Sequence, residues 1–193
     1  MAAPPILRDI FNAYREQRGE EDDGVLFEDE QAPISRLDVL VYRPTGAADM
    51  TSFATIGMAA KEMPAAPGSG RGGRAELHLG RRGPLTRPEE HAIAVRLANL
   101  AIHPFITGMQ LSWGHMIGFR EDFPTFPGCR SVFLAGPLSA EGQDYVHTSA
   151  GAVRVINVVP ITDAERERGR ALTPVDFAHS LLEHADIFAE RPQ

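Results

Sequence analysis

Three residues whose side chains can bind a metal or transfer a proton lie in two segments of the chain. Glu76 and His78 are separated by one residue, so in a β-strand their side chains share a face, and His115 follows further along. A zinc or iron site needs three or four such ligands. If the three residues converge, they predict a small-ligand or metal-binding enzyme. Separate surface histidines and an ordinary polar strand position explain the same pattern without a ligand.

The other chemically suggestive residues do not form a recognisable site. Residues 68–73, GSGRGG, match the G-x-G-x-x-G pattern. A dinucleotide-binding loop must lead from a strand into a helix, whereas this one leads from a proline-rich loop into a predicted strand. Cys129 has no histidine near it in sequence, which predicts an inert thiol, and His179 and His184 do not share a helix face. We therefore predict no catalytic residue, no metal ligand and no cofactor.

Composition predicts one folded domain in a reducing compartment. The 193 residues are 43% hydrophobic and 23% charged, typical of a globular protein. There is one cysteine, no apolar run long enough for a membrane span, and no secretory pattern at the N-terminus. These features predict a cytoplasmic protein that does not associate with membranes. A net charge of −7 argues against nucleic acid as a partner.

Negative charge is concentrated near the N-terminus, between residues 16 and 30. Such a run is either a solvated surface or a surface that attracts a basic partner. On the second interpretation, the predicted partner-binding residues are Asp22, Asp23, Asp29 and Glu30. Trp113, the single tryptophan, is predicted to anchor the core or a sheet edge, and it would suit a protein interface if half-exposed.

Hydrophobic periodicity and capping residues predict the order of elements. A helix is expected at Pro5–Arg18, followed by an acidic loop that extends to residue 35. Capping residues Thr86, Thr162 and Thr173 start three more helices, the first of them ending before Pro104. Strands are expected at residues 37–42, 51–58, 74–79, 110–119, 130–134 and 152–159.

Two details of these elements matter for the site. The strands at 51–58 and 74–79 are predicted to form an antiparallel hairpin, with Glu76 and His78 on a half-exposed face. In the last helix, Val175, Ala178, Leu182 and Ala185 are expected to pack inward, with Phe177, Leu181 and Phe188 widening the apolar stripe. Strands and helices do not alternate strictly, so the predicted class is α+β, with a mixed, mainly antiparallel sheet packed against helices.

Several segments, in order, resemble those of the suppressor of fused (SUFU-like) domain family. The similarity spans residues 37–184, and its segments are 56–58, 75–79, 95–101, 111–115, 156–165 and 177–183. Two departures are Ala59 and Ala60, where the family usually has a serine and an acid, which leaves the polar contacts of that turn in doubt. The second domain of the animal protein also has no counterpart here.

This resemblance implies a single SUFU-like domain over residues 1–193 that binds protein and has no enzymatic activity. Stand-alone bacterial members resemble immunity proteins that neutralise a toxin, and the arginine-rich composition, with Lys61 as the one lysine, is typical of a GC-rich bacterial genome. Glu76, Trp113 and His115 join the acidic residues as predicted partner contacts. The alternatives are the enzyme described above and a structural subunit of a larger assembly. The sequence does not fix the oligomeric state.

Overall fold

A computed structural model describes residues 4–46, 49–68, 70 and 72–192. Four helices and one sheet make up this part of the chain, and they confirm the predicted α+β class. The helices are α1 (Pro5–Arg18), α2 (Arg87–Thr107), α3 (Asp163–Arg170) and α4 (Pro174–His184). None of the described helices is long and apolar enough to cross a membrane.

The predicted helix starts are confirmed at the level of individual hydrogen bonds. Thr86 and Thr162 each form a capping box, with Glu89 and Glu165 respectively, and Thr173 accepts from the backbone N–H of Asp176. Each cap satisfies backbone N–H groups that the first helical turn leaves unpaired.

The sheet has eight strands: β1 (Asp23–Glu28), β2 (Arg36–Tyr42), β3 (Met50–Ile56), β4 (Arg74–Arg82), β5 (Met116–Gly118), β6 (Ser131–Ala135), β7 (Tyr145–Thr148) and β8 (Gly151–Ile161). Seven of them follow the order β1-β2-β3-β4-β8-β6-β5, and β7 pairs with β8 outside this path. Strands β4 and β8 are parallel and the other pairs are antiparallel. The predicted hairpin of β3 and β4 is confirmed.

Helices cover both faces of the sheet, which explains why its central strands are buried on both sides. Helix α2 packs on one face through residues such as Ile93 and Leu97, which join Leu77 and Val39 in the main core. On the other face, α1 packs over β2, β3 and one end of β8, while α4 packs over β6 and the other end of β8. A gap on this second face therefore separates α1 from α4.

Burial on both faces corrects one prediction about the hairpin. The face of β4 that carries Glu76 and His78 was expected to be half-exposed, but residues 75–79 are all buried. The prediction was wrong because α1 covers that face, and Tyr14 of α1 packs against the His78 ring at a centroid distance of 5.0 Å. Alternation of apolar and polar residues indicates exposure only when nothing packs on the polar side.

The acidic stretch contains a strand where a loop was predicted. Strand β1 occupies residues 23–28 and pairs with β2 in an antiparallel register. Its side chains alternate between half-buried and exposed, with Val25 and Phe27 packing on the main core. The acidic residues at both ends of this short strand have the composition of a loop, and for this reason the strand was not predicted.

Other differences concern element ends. Residues 110–119 form only the short strand β5, and β7 was not predicted. Helix α2 runs through Pro104 to Thr107 and ends at Gly108, whose φ of 74° is left-handed. In α4, Phe177 and Leu181 of the predicted stripe are buried, but the prediction that Val175 and Leu182 pack inward was wrong, since they are 64% and 42% exposed. The glycine-rich segment leads into β4, and Ser69 and Arg71 lie outside the described residues.

Candidate functional site

The Glu76 carboxylate ties the β3–β4 hairpin to the turn that follows β3. Its Oε2 accepts a hydrogen bond from Thr55 Oγ1 at 2.6 Å, and its Oε1 accepts from the backbone N–H groups of Gly57 and Ala59 at 2.9 and 3.0 Å. Thr55 Oγ1 in turn accepts from Leu77 N–H at 2.8 Å. Both carboxylate oxygens are therefore occupied within the protein.

Gly57 makes this arrangement geometrically feasible. Its φ is 136°, and an added Cβ would lie 2.5 Å from the carbonyl oxygen of Arg36, so only glycine fits. The departure at Ala59 does not remove the polar contacts of this turn, because they are made by backbone N–H groups. Burial raises the pKa of Glu76 to about 7, although its hydrogen bonds act in the opposite direction.

His78, two residues further along β4, has a different environment. Arg18 Nη2 lies 2.8 Å from His78 Nδ1. Since arginine only donates hydrogen bonds, Nδ1 must accept, and the proton of the neutral ring lies on Nε2. Burial and, secondarily, the charge of Arg18 hold the pKa of His78 well below its ordinary value. His78 Nε2 is buried and has no hydrogen-bond partner among the described residues.

A cavity of about 190 Å³ adjoins His78 in the gap between α1 and α4. Its floor comes from adjacent strands and includes Ser52, His78 and Asn157. The walls are the end of α1, Phe188 near the C-terminus, and the loop between β6 and β7. Neither Glu76 nor His115 lines this cavity.

His115 does not join Glu76 and His78 in a metal site. It is exposed in the turn before β5, where its backbone N–H donates to the carbonyl oxygen of Ser112. Within the described residues, no group of three His, Cys, Asp or Glu side chains is arranged to hold a metal. Cys129 is buried, and burial raises the pKa of its thiol to about 11, which suits the inert role expected for it.

Trp113 is half-buried at the opposite end of the sheet from β1. Its indole N–H donates to the carbonyl of Val155 at 2.9 Å, and the guanidinium of Arg154 lies 5.2 Å from a ring centroid. Together with the exposed Val175 and Leu182, it lines a depression of about 400 Å³.

The four acidic residues predicted as partner contacts lie at the two ends of β1, but they are not equivalent. Asp23 is neutralised by Arg43 and Arg87, which also bind the buried Glu90. The carboxylate of Asp22 accepts from the backbone N–H of Arg43, and that of Asp29 from Gln31 N–H.

Glu30 is exposed, and neither it nor Asp29 has an ion pair with any described residue. Negative charge is therefore available mainly at the end of β1 that holds Asp29 and Glu30.

Strand β1 forms one edge of the sheet, and among the described strands it pairs with β2 alone. The hydrogen bond from Asp29 N–H to Ser35 O shows which residues of β1 form hydrogen bonds with β2. Residues 23, 25 and 27 direct their backbone groups toward β2, so those of residues 24, 26 and 28 point outward. The side chain of Leu26 is 47% exposed.

An apolar groove adjoins this edge on the α1 side of the sheet. Leu26 and Asp38 are opposite each other in the β1–β2 register, and Asp38 lines the groove. Leu7 and Phe11 of α1, together with Leu40 and Ile56, form its apolar walls, and its volume is about 720 Å³. We call β1 and this groove the β1 edge surface.

Sequence reasoning missed this surface, because it assigned the acidic stretch to a loop. The alternation of Val25, Leu26 and Phe27 between acidic residues is the signal that could have revealed β1. The contact between Arg18 and His78 had no sequence signal, since 60 positions separate the two residues.

The family model for the suppressor of fused protein matches residues 34–188. The chain belongs to the suppressor of fused (SUFU) family. The match includes β2 to α4 and leaves α1 and β1 outside it. No curated protein matches the chain.

Solved structures of SUFU proteins have the same fold. A chain of the Sufu–Fu complex aligns with a TM-score of 0.70 and 14% identity, covering 98% of this chain and 90% of that one. A SUFU homologue from Neisseria gonorrhoeae FA 1090 aligns with a TM-score of 0.71 and 14% identity, covering 97% and 95%. Drosophila Suppressor of Fused aligns with a TM-score of 0.66 and 15% identity, covering 97% of this chain but 50% of that one. The SUFU domain recognised in the sequence is thus confirmed.

Proposed function

We propose that this SUFU domain is a non-enzymatic protein-binding domain, and that the β1 edge surface is where it binds its partner. The observation that carries the proposal is the outer side of β1, which pairs with no strand in the described part of the chain and lies beside an apolar groove. One structural relative is a SUFU protein in complex with Fu, which makes protein binding the natural function to test for this chain.

The backbone of β1 suits the addition of a partner strand. Leu26 and Glu28 direct N–H and C=O groups outward, so an extended segment can extend the sheet through main-chain hydrogen bonds. The side chains of an added strand alternate between faces, and those on the α1 side would lie beside the exposed Leu26, at the margin of the groove. Main-chain pairing supplies affinity, and contact with Leu26 and the groove margin supplies selectivity for apolar residues.

Charge favours a basic partner segment. Asp29 and Glu30 lie just beyond β1 without ion-pair partners among the described residues, and the whole chain carries a net charge of −7. Such charges accelerate association and are screened by salt. Asp23 contributes less, because Arg43 and Arg87 already neutralise it.

Leu26→Pro tests the edge surface directly. Proline removes the outward N–H of residue 26 without touching a β1–β2 hydrogen bond, whereas Leu26→Ala keeps that N–H. The tagged wild type and both variants are used to capture proteins from the organism that encodes the chain. A protein captured by the wild type and by Leu26→Ala but not by Leu26→Pro supports the proposal. Equal capture by all three, with each variant folded by circular dichroism, contradicts it.

The charge contribution has its own matched pair of variants. Asp29→Asn with Glu30→Gln should slow association with the captured protein several-fold at low salt, and the difference should shrink as salt is added. Glu141→Gln with Glu183→Gln removes the same charge from exposed positions away from β1. Identical association rates for the two double variants in surface plasmon resonance would refute electrostatic steering by this end of β1.

A finer proposal is that the partner is a protein toxin and that the chain is its cytoplasmic immunity protein in a bacterium. The alignment with 95% of a Neisseria homologue supports only the part of this proposal that concerns a bacterial protein of this length. Expression of a toxin encoded beside this gene should arrest growth, and co-expression of the wild type or Leu26→Ala should restore it. Failure of the wild type to restore growth would contradict the immunity role, while leaving protein binding open to the capture experiment.

Trp113, His115 and Glu76 have no part in this surface. Glu76 is fully buried, and the other two lie near β5 and β8, away from β1. The enzymatic alternative loses its main support, because the Glu76 oxygens are occupied by the β3–β4 turn.

A further inference from the structure

Three buried polar atoms without hydrogen-bond partners among the described residues belong to side chains that line the cavity at His78. They are His78 Nε2, Arg18 Nε and Gln143 Oε1. A buried donor or acceptor left unpaired costs free energy, so native proteins satisfy such groups with a partner, with water or with a ligand. Their association with one cavity points to a molecule bound there.

The charge of Arg18 indicates the chemistry of that molecule. Its guanidinium contacts the His78 ring and lies 5.7 Å from the centroid of the Tyr42 ring, and it forms no ion pair with a carboxylate in the described part of the chain. Because Nδ1 of His78 accepts from Arg18, Nε2 carries the hydrogen and is a donor. The side chains that line the cavity thus carry one positive charge and two unpaired N–H donors, which are complementary to an oxyanion.

The volume of the cavity further restricts the size of the anion that can bind. A volume of about 190 Å³ corresponds to roughly six water molecules at about 30 Å³ each. This volume suits an anion with few non-hydrogen atoms. Apolar contacts are available from Val155, Leu138 and Phe188 on the walls.

We propose that the cavity between the end of α1 and Phe188 binds a small oxyanion, a carboxylate or a phosphate, through Arg18 and the Nε2–H of His78. Gln143 adds an amide group that can turn its NH₂ toward the anion. This site lies on the same sheet face as the groove, but the two share no lining residue. The proposed anion site is therefore independent of partner binding at β1.

The experiment follows the imidazole ¹⁵N signals of His78 while acetate, succinate or inorganic phosphate is added at constant ionic strength and pH 7.5. We expect a neutral ring protonated on Nε2, and a saturable change in the Nε2 signal with at least one of the three probes. A response to acetate or succinate assigns the site to carboxylates, and a response to phosphate alone assigns it to phosphate. The wild-type titration requires no mutation, so no folding defect can obscure it.

Two variants then test which arginine supplies the positive charge that binds the probe. Arg18→Gln should weaken binding of the responding probe at least tenfold, whereas Arg15→Gln removes the same charge from the same helix outside the cavity and should leave binding unchanged. A His78 signal unaffected by all three probes, or equal affinities for wild type and a folded Arg18→Gln, would overturn the proposal and leave ordered water as the occupant.

Discussion

Glu76 and His78 lie two residues apart on the same face of β4, both buried, yet one is fully bonded and the other is not. Glu76 receives hydrogen bonds on both oxygens from the hairpin that carries it. His78 has a partner on Nδ1 and none on Nε2 among the described residues. A buried polar group whose hydrogen bonds are all made stabilises the fold, whereas one with an unpaired donor on a side chain that lines a cavity indicates a place for a ligand.

The two residues also differ in where their hydrogen-bond partners lie in the sequence. The partners of Glu76 are close to it in the hairpin and include Thr55 and Gly57. The partner of His78 is Arg18 of α1, 60 positions away. The hydrogen bonds of Glu76 therefore stabilise the hairpin, whereas the contact with His78 places the end of α1 as one wall of the cavity.

Removing the Glu76 carboxylate should cause the largest loss of stability. Glu76→Ala leaves the N–H groups of Gly57 and Ala59 and the hydroxyl of Thr55 unpaired in the interior. We expect the free energy of unfolding to fall by about 3 kcal/mol or more, measured by urea denaturation. Glu62→Ala, at an exposed position, should change it by less than about 0.5 kcal/mol. Similar losses in the two variants would mean that the Glu76 hydrogen bonds contribute little.

A second prediction uses the raised pKa of Glu76, which makes stability fall as pH rises. The pKa is about 7 in the folded protein, against an ordinary value of 4.5. Between these values the folded state holds a proton that the unfolded state has released, so raising the pH favours unfolding. The contribution is complete below pH 4.5 and is lost through pH 7, by a total on the order of 3 kcal/mol.

Glu76→Gln cannot titrate and serves as the reference. The free energy of unfolding of the wild type minus that of Glu76→Gln should fall across this interval in urea titrations buffered with N-methylpiperazine, bis-tris and Tris, which supply neither carboxylate nor phosphate. A difference that stays constant from pH 4.5 to pH 8 would show that the hydrogen bonds to Glu76 outweigh its burial.

Local sequence chemistry predicted the hairpin and the helix starts because their determinants lie within a few residues. The capping boxes at Thr86 and Thr162 need only a partner three positions away. The same reasoning failed for the exposure of β4, since Tyr14 and Arg18 of α1 cover it from a distant part of the chain. The β1 edge was also missed, because its pairing with β2 outweighs an acidic composition that resembles a loop.

The smallest of these effects is expected for His78→Phe, and its dependence on pH should have the opposite sign to that of Glu76. At pH 8 the substitution removes the hydrogen bond from Arg18 to Nδ1 but none from Nε2, and it keeps a ring against Tyr14, so we expect a loss of about 1 to 2 kcal/mol. Below the ordinary His pKa of 6.5, the unfolded wild type takes up a proton that folded His78 refuses, because burial and Arg18 hold its pKa low. The free energy of unfolding of the wild type therefore decreases as pH falls, by at most about 1.4 kcal/mol per pH unit, and the phenylalanine variant lacks this decrease.

Relative to the wild type, His78→Phe should thus gain stability between pH 6.5 and pH 5 in urea titrations with the same cationic buffers. If the relative stability instead falls over that range, His78 is protonated in the folded state, and its Nε2–H is not the neutral donor that distinguishes it from Glu76.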